Sequence, residues 1–140
     1  MYADAADLRA RYPERDLAQL SDPQGAVVDE VVLSGALADA SAEIDGYLQG
    51  RYALPVADPP AVLKRIACDI AMYRLLALRP LGDLEDARNR YSDAVRYLES
   101  VSRGVVQLGI GAGAQSAPQE AGPEAVSATR LFTRDTMQGL

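Results

Sequence analysis

The segment Asp58–Arg79 places the strongest constraint on what this chain can fold into. Asp58 is a good N-cap residue, Pro59 fits the first turn of a helix, and Pro80 stops the helix that precedes it. Between these signals, apolar side chains recur at helical spacing: Val62, Leu63, Ile66, Ala67, Ile70, Ala71, Tyr73, Leu75, Leu76, Ala77 and Leu78. Its narrower polar side holds Lys64, Arg65, Cys68 and Asp69. A helix this apolar belongs in the centre of a bundle.

Further apolar stripes predict helices that pack around this central helix, 59–79. They cover residues 29–49 and 83–103, and two shorter stretches at 5–12 and 14–20. Asp4 and Asp83 are the N-caps of two of them, and Gly50 is a C-cap. The sequence therefore predicts an all-α fold, a small helical bundle that occupies residues 1–104.

The size of the chain allows one domain with appendages. It has 140 residues, of which 49% are hydrophobic, and a chain of this length buries one modest core. No apolar run is long enough to cross a bilayer, and no charged-then-apolar leader opens the sequence. We therefore expect no membrane partner and a protein that stays in the compartment where it is made. The lone cysteine fits a reducing cytoplasm.

Charge is distributed unevenly along the chain. The net charge of −6 disfavours a general nucleic-acid binder. Residues 1–50 hold ten acidic and three basic side chains, a net −7, whereas residues 51–109 hold seven acidic and nine basic ones, a net +2. This asymmetry can orient association between copies of the chain, although a run of charge is more often a solvated face.

The residue types that build common catalytic sites are missing or scattered. The chain has no histidine, and its one cysteine lies within the most apolar helix. Glu43, Asp45 and Asp69 are the candidates for a carboxylate site. Hydrogen bonding of Asp45 or Asp69 within the fold is the favoured interpretation. Their predicted donors are Arg51, Arg65 and the linker backbone. We therefore expect no enzyme, no cofactor and no metal.

Two stretches outside the helices are predicted to make contacts. The loop 51–57 joins two long helices, and its predicted anchors are Arg51, Tyr52, Leu54 and Pro55. After Gly104 the sequence reads as a short β-prone strand at 105–108, a Gly/Ala/Pro-rich linker at 109–125 and an extended C-terminal interaction arm at 126–140. The predicted partner-binding residues are Val105, Val106, Leu108, Arg130, Leu131, Phe132 and Arg134. We expect β-augmentation of neighbouring proteins by the β-prone segments.

Several segments together resemble a known family. They are YADAADLRARY at 2–12, ALADASAEIDGYLQGRYALPV at 36–56, PPAVLKRIACDIAMYRL at 59–75, YSDAVRYLESVSRGVVQLG at 91–109 and RLFTRDTMQGL at 130–140. This pattern resembles the Mu-type phage and prophage structural family. More distantly, the order of a helix, an RY-x-LP loop and a proline-started apolar helix is similar to the head-tail adaptors of phages with long non-contractile tails.

The resemblance implies a virion structural protein, a head-tail adaptor or connector in the neck of a tailed phage. Such adaptors are small helical proteins that form twelve-membered rings between portal and tail. The implied partners are copies of the chain itself, the portal protein and a tail-side neck or tail terminator protein. Genome DNA would pass through the lumen without specific binding. The implied location is the virion neck, after assembly in the host bacterial cytoplasm.

The residues themselves leave two other classes open. One is a small helical regulatory protein, antitoxin-like or anti-repressor-like, that binds one partner through its tail. The other is an enzyme with an unrecognised carboxylate site. Size-exclusion chromatography with light scattering separates a ring-forming adaptor from a regulator that stays a monomer or dimer.

Overall fold

Within residues 1–79 and 81–110, which this computed structural model of the protein describes, the chain forms five α-helices and no β-strand. They are α1 (Ala5–Arg11), α2 (Glu14–Ser21), α3 (Glu30–Leu48), α4 (Ala61–Leu78) and α5 (Leu84–Ser102). The all-α prediction is confirmed, and the three long helices begin and end within two residues of the predicted positions. No helix in these two ranges is long and apolar enough to cross a membrane.

The central position of α4 follows from its apolar surface. It packs between α3 and α5, and its buried apolar residues are Leu63, Ile66, Ala67, Ile70, Ala71, Met72, Leu75 and Leu76. The residues that α3 contributes to the core are Leu33, Leu37, Ala40, Ile44 and Leu48. Those of α5 are Ala87, Ala94, Leu98 and Val101. Burial of these stripes against one another is the main stabilising term of the fold.

The predicted polar side of α4 is only partly solvated. Cys68 is buried, and so is Asp69, because α1 packs over this side of the helix. Lys64 stays exposed and its ammonium lies 2.9 Å from a carboxylate oxygen of Asp7 on α1. Burial raises the pKa of the Cys68 thiol to about 11.

The two N-terminal helices cover one side of the three-helix core. Leu8 of α1 and Leu17 of α2 are fully buried against it. The backbone amide of Tyr2 donates to Ser41 Oγ at 3.1 Å, and the Tyr2 hydroxyl donates to the carboxylate of Asp45. These contacts tie the start of the chain to α3.

Capping explains where the helices begin. Asp4 and Asp7 form a reciprocal capping box at α1, and Asp29 and Asp83 accept backbone amides at the starts of α3 and α5. The predicted cap of α4 is wrong, because Pro60 is its N-cap residue and the helix begins two residues later than Pro59 predicts. Two consecutive prolines hold the chain extended before the first helical turn.

The predicted C-cap of α3 is also wrong. Gln49 is the C-cap residue, in a right-handed helical conformation, and Gly50 does not take a positive φ. The chain turns without needing the left-handed conformation that favours glycine at a helix end.

Candidate functional site

The loop that follows α3 contacts the segment that follows α5. Tyr52 is buried in the core, and its hydroxyl oxygen accepts the backbone amide of Leu108 at 3.1 Å. Leu54 was predicted as an anchor, but it is 38% exposed, and Val56 takes the second buried position of the loop. Pro55 is exposed, and the Leu54–Pro55 peptide bond is cis.

Arg51 reaches the end of α5 from the same loop. A Cβ atom added to Gly104 would lie only 2.2 Å from Nη1 of Arg51, so the guanidinium rests directly on the glycine. Gly104 also has a φ of +78°, a conformation that glycine adopts at no steric cost. Arg51 and Tyr52 together therefore fix the path of the chain at Gly104 and Leu108.

Residues 105–108 do not form the predicted β-strand, and the hydrogen bonds made by the backbone amides explain why. The amides of Gly104 and Val105 bond to Val101 O and Ser100 O, which is the Schellman pattern of a helix end. The amide of Val106 also bonds to Ser100 O, and that of Leu108 bonds to Tyr52. Helix capping and one tyrosine therefore use the donors that a strand ladder requires.

The predicted partner-binding residues at 105–108 differ in their exposure. Val105 is 78% exposed, Val106 is half-buried, and Leu108 is buried against its own chain. Arg130, Leu131, Phe132 and Arg134 lie outside the described residues. Of Val105, Val106 and Leu108, only Val105 exposes most of its side chain.

An apolar groove lies between the first half of α3 and the end of α4. It has a volume of about 490 Å³, and its lining comprises Val32, Gly35, Ala36, Asp39, Tyr73, Arg74, Leu75, Ala77 and Leu78. Leu78 is 79% exposed, and Val31, one residue before the groove on α3, is 80% exposed. We call this feature the α3–α4 groove. Large apolar side chains grouped on an accessible surface are typical of an interaction site.

A polar network stiffens one end of the α3–α4 groove. The carboxylate of Glu43 accepts hydrogen bonds from Nη2 of Arg74 at 2.7 Å and from the hydroxyl of Tyr91 at 2.8 Å. These two bonds join α3, α4 and α5. The rings of Tyr73 and Tyr91 stack with centroids 4.6 Å apart. Burial and the hydrogen bond to Glu43 raise the pKa of Tyr91 to about 12. Arginine and tyrosine are enriched at protein interfaces, and here both are held in place.

The three candidate carboxylates do not converge on one site. Glu43 binds Arg74 and Tyr91, whereas Asp45 accepts the hydroxyl of Tyr2 rather than an arginine. One carboxylate oxygen of Asp69 lies 3.5 Å from Nη1 of Arg65, and the other lies 3.5 Å from the hydroxyl of Tyr12. Of the donors predicted for Asp69, Arg65 is the one that the structure shows. Desolvation by burial raises the pKa of Asp69. Among residues 1–79 and 81–110, no group of three or more acidic or cysteine side chains is arranged to hold a metal ion.

Sequence reasoning did not find the α3–α4 groove. Val32 and Leu78 were assigned to the apolar stripes of the core. Helical spacing of apolar residues indicates which side chains share a face, but it does not indicate which part of that face another helix covers. The available signal was the excess of apolar residues at the end of α4, where Ala77 and Leu78 extend beyond the face that α3 and α5 cover.

Comparison with known proteins assigns the chain to a family. Residues 2–127 match the family described as Bacteriophage Mu, Gp36. The Mu-like prophage FluMu protein gp36 of Haemophilus influenzae is 38% identical over 140 residues, which cover 99% of this chain and 97% of that protein. Gene product J of Escherichia phage Mu is 39% identical over 120 residues, which cover 84% of this chain and 83% of that protein. The chain therefore belongs to the Bacteriophage Mu Gp36 family of phage and prophage proteins.

Proposed function

We propose that this phage protein is a virion structural protein, a head-tail adaptor that forms a ring in the neck between the portal and the tail. Membership of a Mu phage family supports the phage context. The resemblance of the helix, RY-x-LP loop and apolar helix to head-tail adaptors supports the specific role. The α3–α4 groove is the observation that carries the proposal, because an accessible groove of about 490 Å³ with a mainly apolar lining remains beside the closed core.

The proposed partners follow from a position in the neck. Copies of the chain, twelve in the proposed ring, would contact one another laterally, with the portal protein above and a tail-side neck or tail terminator protein below. Genome DNA would pass through the lumen. The net charge of −6 supports passage without tight binding, because an acidic chain does not retain phosphate groups.

Deletion of the gene from a phage or prophage that encodes this chain tests the proposal. We expect DNA-filled heads and separate tails by electron microscopy, no infectious particles, and restoration of both by the wild-type gene. Mass spectrometry of purified virions should detect the chain in multiple copies per particle. Infectious, tailed particles from the deletion strain would contradict the role, as would virions that lack the protein.

The same strain tests the regulatory alternative. A regulator acts before assembly, so its deletion would change the amounts of late phage proteins. Under the adaptor proposal, the capsid and tail proteins accumulate to wild-type levels and only their joining fails. Measurement of capsid and tail proteins in the lysate separates these outcomes.

A further inference from the structure

We propose that the α3–α4 groove of one copy binds the arm 126–140 of a neighbouring copy, in a head-to-tail contact. This inference rests on the proposed function insofar as the contact would close a ring. The two surfaces that meet are a groove between helices and a segment of the same chain that follows the described residues.

The described chain ends far from the α3–α4 groove. Leu108 and Ile110 lie beside Pro59 and Ala61, at the start of α4. The groove lies at the other end of the same helix, at Tyr73 to Leu78. Eighteen helical residues are about 27 Å long, so the root of the arm and the groove are at opposite ends of the bundle.

A contact between two different surfaces, the arm of one copy and the groove of the next, determines the symmetry. A groove that binds a different part of the next copy makes a heterologous interface, and such interfaces close into rings when the rotation allows it. A self-complementary patch would instead make a two-fold dimer. The fifteen residues 111–125 span at most about 50 Å when fully extended, so the arm is long enough for the groove of an adjacent copy and also for its own, and cross-linking between tagged copies distinguishes the two.

The composition of the arm matches the groove. Leu131, Phe132, Met137 and Leu140 are its largest apolar residues, and a groove of about 490 Å³ is large enough for more than one such side chain. Asp39 lies in the groove lining and makes no ion pair within residues 1–79 and 81–110. Arg130 and Arg134 supply the opposite charge.

The surface of this chain that would bind the arm is formed by helices. No strand is present in the described part of the chain, so the arm of a neighbour finds no sheet edge there to extend. Apolar segments bind between helices by inserting side chains at regular spacing into a groove. This inference therefore replaces β-augmentation with insertion into a groove for contacts between copies.

Cysteine pairs test the contact in the full-length protein. One tagged copy carries Gly35→Cys and a second, differently tagged copy carries Phe132→Cys, and both are expressed together in cells that produce the phage. A side chain at Gly35 meets no atom within 4 Å, so the substitution does not disturb the helix packing. The native Cys68 is buried, so it does not compete for oxidation.

Oxidation should produce a disulfide between the two tagged copies. The matched control replaces Gly35→Cys with Asp93→Cys, at an exposed position on α5, and we expect at least tenfold less mixed disulfide from it. Equal yields from positions 35 and 93 would overturn the inference. A single chain with both Gly35→Cys and Phe132→Cys that cross-links only internally would also overturn it, because the arm would then fold back.

Charge exchange gives an independent test. We expect Asp39→Lys to reduce mixed disulfide, and Arg130→Glu with Arg134→Glu in the partner copy to restore it. Failure of restoration would contradict a role for this charge pair. Virions that contain the chain but show no 35–132 disulfide would contradict this inference and leave the adaptor role standing, whereas a 35–132 disulfide in cells whose virions lack the chain would contradict the adaptor role alone.

Discussion

The hydroxyl oxygen of Tyr52 accepts a hydrogen bond from the backbone amide of Leu108, with 3.1 Å between the two atoms. These residues are 56 positions apart, and both are buried. The bond joins the loop after α3 to the segment after α5. It determines the direction in which the chain leaves the bundle.

Tyr52→Phe should lower the free energy of unfolding by about 1–3 kcal/mol, because the amide of Leu108 then stays buried without an acceptor. Urea denaturation measures the loss, and the Leu108 amide should exchange faster with deuterium. Leu54→Ala in the same loop is the control, with an expected effect below about 0.5 kcal/mol. Unchanged stability and unchanged exchange in the Tyr52 variant would show that the bond does not hold the segment.

Gly104→Ala should destabilise the protein more than Gly82→Ala. The two glycines have φ angles of +78° and +80°, so both substitutions carry the cost of a left-handed conformation, about 1–2 kcal/mol. A Cβ atom at position 104 would contact Arg51, whereas a Cβ atom at position 82 would have no neighbouring atom within 4 Å. The extra loss should disappear in an Arg51→Ala background, which a double-mutant cycle measures. Equal losses at both glycines would contradict the packing of Arg51 on Gly104.

Ile70→Ala should cost about 2–5 kcal/mol, because Ile70 is fully buried at the centre of α4 and the truncation leaves a cavity. Leu78→Ala on the same helix is the matched control. Its side chain is mostly exposed, so the expected change is within about 0.5 kcal/mol. Comparable effects of the two substitutions in chemical denaturation would mean that the core is not centred on α4.

Asp69→Asn should stabilise the protein near neutral pH and not at low pH. Desolvation raises the pKa of Asp69 in the folded state above its ordinary value of 3.8, so the folded state binds the proton more tightly than the unfolded state. Wild-type stability from this group is therefore greatest below pH 3.8 and falls as pH rises through the folded pKa. Asparagine removes that penalty.

The measurement for Asp69 is the difference in unfolding free energy between variant and wild type at several pH values. It should increase as pH rises from about 3.8 and then level off. Asp93→Asn, on the exposed face of α5, is the control and should change stability by less than about 0.5 kcal/mol. A difference for Asp69 that stays constant with pH would contradict the raised pKa.

The long helices were predictable because local signals agreed. Apolar spacing located α3, α4 and α5 to within two residues, the N-cap Asp83 also located the start of α5, and Pro80 indicated the end of α4. The start of α4 was misplaced because Pro59 and Pro60 are both acceptable at a helix start, and the sequence does not say which one precedes the first turn.

The errors came from tertiary contacts. Asp69 is buried on a side of α4 over which α1 packs, and no local pattern states which short helix will do so. The β propensity of residues 105–108 was overridden when Ser100 and Tyr52 took their backbone donors. The α3–α4 groove depends on how the two helices pack against each other and not on either sequence alone.

The position of Cys68 beneath α1 makes the thiol a reporter of local opening. A buried thiol with a pKa of about 11 reacts with an electrophile only when the helix above it detaches. α1 is seven residues long and is held by the Asp7–Lys64 and Arg9–Glu30 ion pairs. The labelling rate of the native protein therefore measures how often the N-terminal helix lifts while α3, α4 and α5 remain folded.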